Sequence, residues 1–491
     1  MIFGGCMSRG ERSRMAEGGK LRVGLFGIGL AAYWSQFPGL EERLKGYVSR
    51  VGERLAGPGR EVVNFGMVDS AERALAVGHQ ARRQDVDLLV LYVTTYALSS
   101  TVLPVVRRAK VPVLVLNLQP EAAIDYAKFN ALPDRTAMTG EWLAYCSACP
   151  VPEIANVFAR AGIPFYQVTG VLDDDPECWK EIEDWMAAAQ AVETLSHMRL
   201  GLMGHYYGGM LDIATDLTAV SSVFGTHIEM LEIDELGALR EEMTSAEVAA
   251  KLAEFYAEFD VQEDCPAEEL TRAARTAAAL DALVERHALG AMAYFYSGTG
   301  CTMNEDTVTS IILGTSMLTR RGIPVAGEYE VKNVIAMKMM DALGAGGSFT
   351  EYYAVDFKDD VVLMGHDGPG HSGIAEGKTK VKPLEVYHGK VGRGLSVEMS
   401  VKHGPVTLLS VVEDGARGFK LLVAEGATEA GQILEIGNTN SRYRFPIGAR
   451  GFLQRWNEQA PAHHCAVGVG HVGDKLEKLG RLLGIGVVRV C

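Results

Sequence analysis

Positive charge is scarce in this chain: 47 Lys and Arg stand against 62 Asp and Glu, a formal net charge of −15. Nucleic-acid affinity rests on clustered Lys and Arg, so a nucleic-acid partner is not expected. Small polar ligands and divalent cations suit an acidic surface better. Long apolar runs are missing as well. A bilayer span needs about 18 consecutive apolar residues, and the best stretch, 87–98, is broken by Thr94 and Thr95. No membrane partner is expected. The first twenty residues carry Arg, Lys, Glu and Gly but no apolar core of a secretory signal, and Met7 or Met15 is an alternative start. Cysteines are few and scattered, without the spacing of a disulfide framework, which points to reduced thiols and a cytoplasmic location. What remains is ordinary globular material, 48% hydrophobic and 22% charged, which excludes disorder and fibrous repeats. At roughly 150 residues per domain, the 491 residues suffice for about three domains.

The first third alternates buried-strand runs with amphipathic helices. Apolar stretches at 21–26, 62–68, 88–93 and 111–118 read as strands, and 40–55, 70–83 and 99–109 carry apolar residues at helical spacing. Such alternation means a parallel sheet covered on both faces. The pattern restarts with strands at 197–203, 227–233 and 291–296, and Thr244 with Glu247 forms a capping box for a helix running to 259. After about residue 344, Gly-rich turns separate short runs of alternating polarity at 349–357, 361–365, 383–388, 407–413, 419–425 and 433–438, the mark of an antiparallel barrel or sandwich. The expected fold class is α/β: two open parallel-sheet α/β domains, 20–195 and 196–344, followed by a β-rich domain, 345–491.

Gly27-Ile-Gly29-Leu-Ala-Ala32 follows the first strand and has the form of a dinucleotide-binding turn. The acidic residue expected about twenty positions later is missing, and turn glycines explain the segment equally well. Cys146 and Cys149 have half of a zinc or redox spacing with no second pair, so two buried thiols at a helix start are the expectation.

Stronger chemistry lies between Gly327 and His366. In a strand 349–357, Phe349, Glu351, Tyr353, Val355 and Phe357 share one face, so Glu351 sits among apolar neighbours. A carboxylate buried there needs a cation or donors: a metal, an Arg partner, or a strand end open on both sides. A two-residue hairpin at Asp359-Asp360 would set Tyr353 opposite His366 and place His366 diagonal to Glu351. Glu328 ends a short apolar run where the chain turns into a helix over 331–343, the position at which open α/β sheets hold ligands, although a helix-dipole partner is the plainer role for one Glu. Seven of the twelve His follow residue 360, including the adjacent pair His463-His464.

At these residues the chain resembles the L-arabinose isomerase family, within the wider L-fucose isomerase-like group. The matching pieces are Gly327-Glu328 and its helix, Gly347-Ser-Phe-Thr-Glu351, Leu363-Met-Gly-His366 and Ala462-His463-His464. The resemblance implies that Glu328, Glu351, His366 and His464 bind a divalent metal, most often Mn2+, with Mg2+ or Co2+ as alternatives. It also implies that Glu328 and Glu351 are the catalytic acid/base pair of an aldose–ketose isomerase. The implied substrate is L-arabinose or a related aldose such as D-galactose or L-fucose, and the implied assembly is a homo-oligomer, a trimer or hexamer. Two features depart from the family. No His lies between His79 and His197, where the family carries one that completes a neighbour's site, and the loop 366–373 differs. A nicotinamide-dependent sugar oxidoreductase using Gly27–Ala32 and a non-catalytic sugar-binding protein are the alternatives.

Overall fold

Apolar residues set the elements. The computed structural model describes residues 19–298, 302–384, 393–415 and 418–491. The chain divides into two units, Lys20–Glu193 and a second that holds Thr194–Cys491.

In the first unit five parallel strands lie in the order Arg60–Val68, Leu21–Ile28, Leu88–Tyr92, Val113–Gln119 and Phe165–Val171. The three inner strands are almost wholly buried and the two edges are not, as a sheet covered on both faces requires. One face packs against the helices Ala71–Arg83, Ser99–Ala109 and Val151–Arg160 through Val77, Val102, Val105 and Phe158.

The dinucleotide-like glycines are used by packing. A Cβ on Gly27 would stand 2.4 Å from Val48 Cγ2 and 2.9 Å from Met67 Sδ, and one on Gly29 would stand 2.7 Å from the Trp34 ring. Trp34 Nε1 in turn donates to Asp69 Oδ2 at 2.7 Å. The helix after the turn, Ala32–Gln36, has only five residues. Cys146 is buried but Cys149 is exposed, which corrects the expectation of two buried thiols: the pair spans a turn rather than the inner face of a helix.

The second unit opens with a four-stranded parallel sheet in the order Val325–Ala326, Ala291–Phe295, Arg199–Gly204 and His227–Leu231. Thr244 and Glu247 form the reciprocal capping box on the helix Ser245–Glu258. The helix Val331–Ala342 is buried on every side through Met340, the pattern of a helix enclosed by other layers. It packs against this sheet and against three strands of the β-rich part.

That part closes on itself. Gly404–Glu413, Cys465–Val469, Ser348–Asp356, Val361–His366, Thr439–Arg444 and Phe419–Glu429 pair in that order, and the last pairs back onto the first. The result is a six-stranded antiparallel barrel filled by Val362, Met364, Leu408, Leu422, Tyr443 and Val467, with Gly486–Arg489 added outside in parallel. A separate three-stranded sheet joins Gly394–Glu398, Lys380–Leu384 and Asp260–Val261. The expected strand 383–388 is thus found at Lys380–Leu384, and 385–388 lies outside the described residues.

Residues 433–438 are not a strand, although their apolar residues alternate; Leu434 and Ile436 face solvent. The barrel instead uses the polar run Thr439–Arg444, whose buried side chains bond to neighbouring backbone: Asn440 Nδ2 to Leu434 O at 3.0 Å, and Val401 N to Ser441 Oγ at 2.7 Å. Among the described residues, no helix is long and apolar enough to cross a membrane.

Candidate metal centre

Glu328 follows the short strand Val325–Ala326 and precedes the buried helix Val331–Ala342. The link is unusual: Glu328 and Tyr329 have φ of 59° and 63°. Two consecutive non-glycine residues in the left-handed region are costly, and such strain persists only where the surroundings enforce it. Here the enforcement is visible. Tyr329 N donates to Tyr294 O at 3.0 Å, Glu330 N to Gly327 O at 3.0 Å, and the Tyr329 ring packs edge-on against Tyr206 at 4.8 Å.

Glu351 and His366 stand on neighbouring barrel strands, but not in the expected register. Phe357, Lys358, Asp359 and Asp360 form a four-residue turn, and Asp356, not Lys358, pairs with Val361. A bulge between Tyr352 and Ala354 follows. A bulge adds one residue to one strand and resets its alternation. Tyr352 and Val355 consequently pack into the same barrel core, although strict alternation would part them. Beyond the bulge Glu351 pairs with Gly365, so His366 is not opposite Tyr353. His366, next to Gly365, is therefore not on the face of the ladder that Glu351 takes, and the two residues are related through His464 rather than directly.

His464 lies just before the strand Cys465–Val469 and is the hub. Its side chain is fully buried; Nε2 lies 3.3 Å from Glu328 Oε2 and Nδ1 3.3 Å from Glu330 Oε2. Two sets of potential ligands, each with donor atoms within 4.8 Å of one another, share it: Glu328, His366 and His464, and Glu351, His463 and His464. The four residues named from sequence therefore meet at His464, though not as one set in which every donor is that close to every other. Phe349, fully buried, packs against both imidazoles, with ring centroids 4.2 Å from His366 and 4.4 Å from His464, which are themselves 5.1 Å apart.

The electrostatics favour a cation. Burial, reinforced by His366 and His463, holds the His464 imidazole well below its usual pKa, so it is neutral and able to ligate. Its Nε2 is buried and makes no hydrogen bond, although a carboxylate lies beside it. Two oxygen and two nitrogen donors with one such orphaned nitrogen suit manganese, magnesium or cobalt. His366 Nδ1 is 2.8 Å from the carbonyl of the next residue, Asp367 O.

Three neighbours were not singled out from sequence. Glu330 is completely buried, and burial pushes its carboxyl up to about 8 against the pull of Lys332. Asp212, from the 3-10 turn Leu211–Ile213, takes hydrogen bonds from His463 Nδ1 at 2.6 Å and from His463 N at 3.0 Å. Burial works to raise the Asp212 carboxyl, but the His463 contacts outweigh it and hold it below the usual range. His463 was noted only as one of a pair; Asp212 fixes its ring, with Nε2 3.9 Å from Glu328 Oε2. The Glu-x-Glu spacing of 328 and 330 was the available signal for Glu330. Asp212 offered none, since 251 positions separate it from His463.

No family model matches the chain. It is 23% identical over 354 residues to an L-arabinose isomerase of Nocardioides sp. (strain ATCC BAA-499 / JS614), an alignment covering 69% of this chain and 68% of the relative.

Proposed function

We propose that the protein is a divalent-metal-dependent aldose–ketose isomerase of pentoses or hexoses, with L-arabinose the first substrate to test and D-galactose and L-fucose next. The observation that carries this reading is the convergence on His464 of Glu328, Glu351 and His366, a mixed carboxylate–imidazole set drawn from distant parts of the chain. The distant likeness to an L-arabinose isomerase supports it independently. In this reading Glu328, Glu351, His366 and His464 hold the ion, with Mn2+ the preferred choice. When bound, such a cation supplies Lewis acidity, stabilising negative charge on the sugar oxygens at C1 and C2.

The chain's own groups do the rest. Glu328 and Glu351 are the carboxylates available to take the proton from C2 and return it at C1. Phe349 keeps water from the inner side of the imidazoles. His463, held by Asp212, presents a polar edge on the same side as Glu328. The same reading makes 20–195, 196–344 and 345–491 the three domains, the location cytoplasmic, and the assembly a homo-oligomer.

The test is a panel of aldoses incubated with Mn2+ and scored for ketose. Ketose formation that disappears with chelator and returns with added Mn2+ is the expected result. Full activity in chelator-treated protein, or binding of sugars without turnover, would overturn it.

A further inference from the structure

The turn Gly327-Glu328-Tyr329-Glu330 does something a helical or extended link would not. Its two left-handed residues bring two carboxylates, two positions apart, onto one imidazole: Glu328 at Nε2 and Glu330 at Nδ1, each at 3.3 Å. Glu330 is completely buried and only one of its oxygens is engaged by His464, the other making no hydrogen bond. Burying a carboxylate is costly unless it is paired. The nearest balancing charge, Lys332, is itself held by backbone carbonyls, donating to Asp212 O at 2.6 Å and Ala214 O at 3.1 Å. A group kept at such cost has a task.

We propose that Glu330 is a positioning residue that fixes both the ring orientation and the tautomer of His464. A neutral imidazole has one N–H and one lone pair, and the hydrogen bond made by one nitrogen decides which the other carries. Ionised or neutral, the Glu330 carboxyl offers an oxygen that can accept Nδ1–H, and Nε2 then carries the lone pair and faces Glu328. Without Glu330 the ring is free to turn over or to place its proton on Nε2, where it blocks ligation. A carboxylate behind a ligating imidazole generally also raises its donor strength. This inference rests on the proposed metal site, and its test separates the two.

The measurement is Mn2+ affinity by electron paramagnetic resonance titration of the full chain. Wild type is compared with Glu330→Leu, which removes the acceptor, and Glu330→Gln, which keeps one. Losing the hydrogen-bond partner behind a metal-ligating imidazole typically costs about 10- to 100-fold in affinity. The expected order is therefore wild type tightest, Glu330→Gln intermediate and Glu330→Leu weakest. In a His464→Gln background, Glu330→Leu should add little, because Glu330 acts through His464. Wild-type affinity in Glu330→Leu, with His464→Gln weakened, would overturn the positioning role and leave the metal site standing. An additive loss in the double variant would also overturn it. Failure of the wild type to bind Mn2+, or His464→Gln binding as tightly as wild type, would overturn both. Glu330→Gln preserves side-chain volume, and its melting curve identifies any loss that is only misfolding.

Discussion

If the carboxylates and imidazoles around His464 hold an ion, the ion must stabilise the unit that carries them. All four proposed ligands lie within Thr194–Cys491. An ion that binds only the folded form adds about 2.7 kcal/mol at a hundredfold excess over its dissociation constant, and about 4.1 kcal/mol at a thousandfold. The unit has about 300 residues, and unfolding entropy near 2.1 cal/mol/K per residue makes its total about 0.6 kcal/mol/K. Its melting temperature should therefore rise by about 4 °C at the first concentration, and by about 2 °C for each further tenfold. Differential scanning calorimetry over a Mn2+ series, after exhaustive chelation, reads this directly. His464→Gln should abolish the increment at the same concentrations. A wild-type melting temperature indifferent to Mn2+, or an equal rise in His464→Gln, would refute the reasoning, since the ion would then be absent or elsewhere.

Three further outcomes are expected. Glu351→Gln should eliminate ketose formation while leaving the circular dichroism spectrum and melting cooperativity intact; near-normal rates in that variant would remove Glu351 from the acid/base pair. Phe349→Ala deletes a fully buried ring lying against both imidazoles and should cost about 3–5 kcal/mol in urea unfolding, with a loss below 1 kcal/mol showing that the ring is not a packing element. Burial tends to raise the Glu235 carboxyl, but hydrogen bonds from His287 and Arg286 outweigh it and hold it below its unperturbed 4.5. That contribution is complete above about pH 4.5 and lost as pH falls through the lowered value, so Glu235→Gln should flatten the acid limb of stability, and an unchanged limb in urea melts between about pH 5 and 3 would count against it.

The inner strands of the first sheet were legible because burial on both faces demands near-continuous apolar runs rich in Val and Leu, and those runs stand out in sequence. The candidate residues Glu328, Glu351, His366 and His464 stood out because carboxylates and imidazoles beside glycines are conspicuous in apolar stretches. The barrel was harder. Apart from Tyr443, Thr439–Arg444 is polar, and its burial becomes intelligible only when the backbone groups that its side chains satisfy are in place. Residues 433–438 offered the better alternation yet lie in a loop. The bulge beside Tyr353 leaves no mark in the residue types, so the register of Glu351 and His366 was misread. The Glu328–Tyr329 turn was also hidden, since neither residue favours the left-handed region.

Ring closure has a consequence for the choice of ion. Each of the six strands has a neighbour on both sides, so a one-residue slip of any strand breaks two ladders at once. Glu351 and His366 ride on that ring and His464 abuts it, while Glu328 hangs from a strained tether outside it. Under the proposed function, cations of unequal radius would confront three posts set by the ring and a fourth, Glu328, set by its own enforced turn, so any size preference would be written into two separate frameworks.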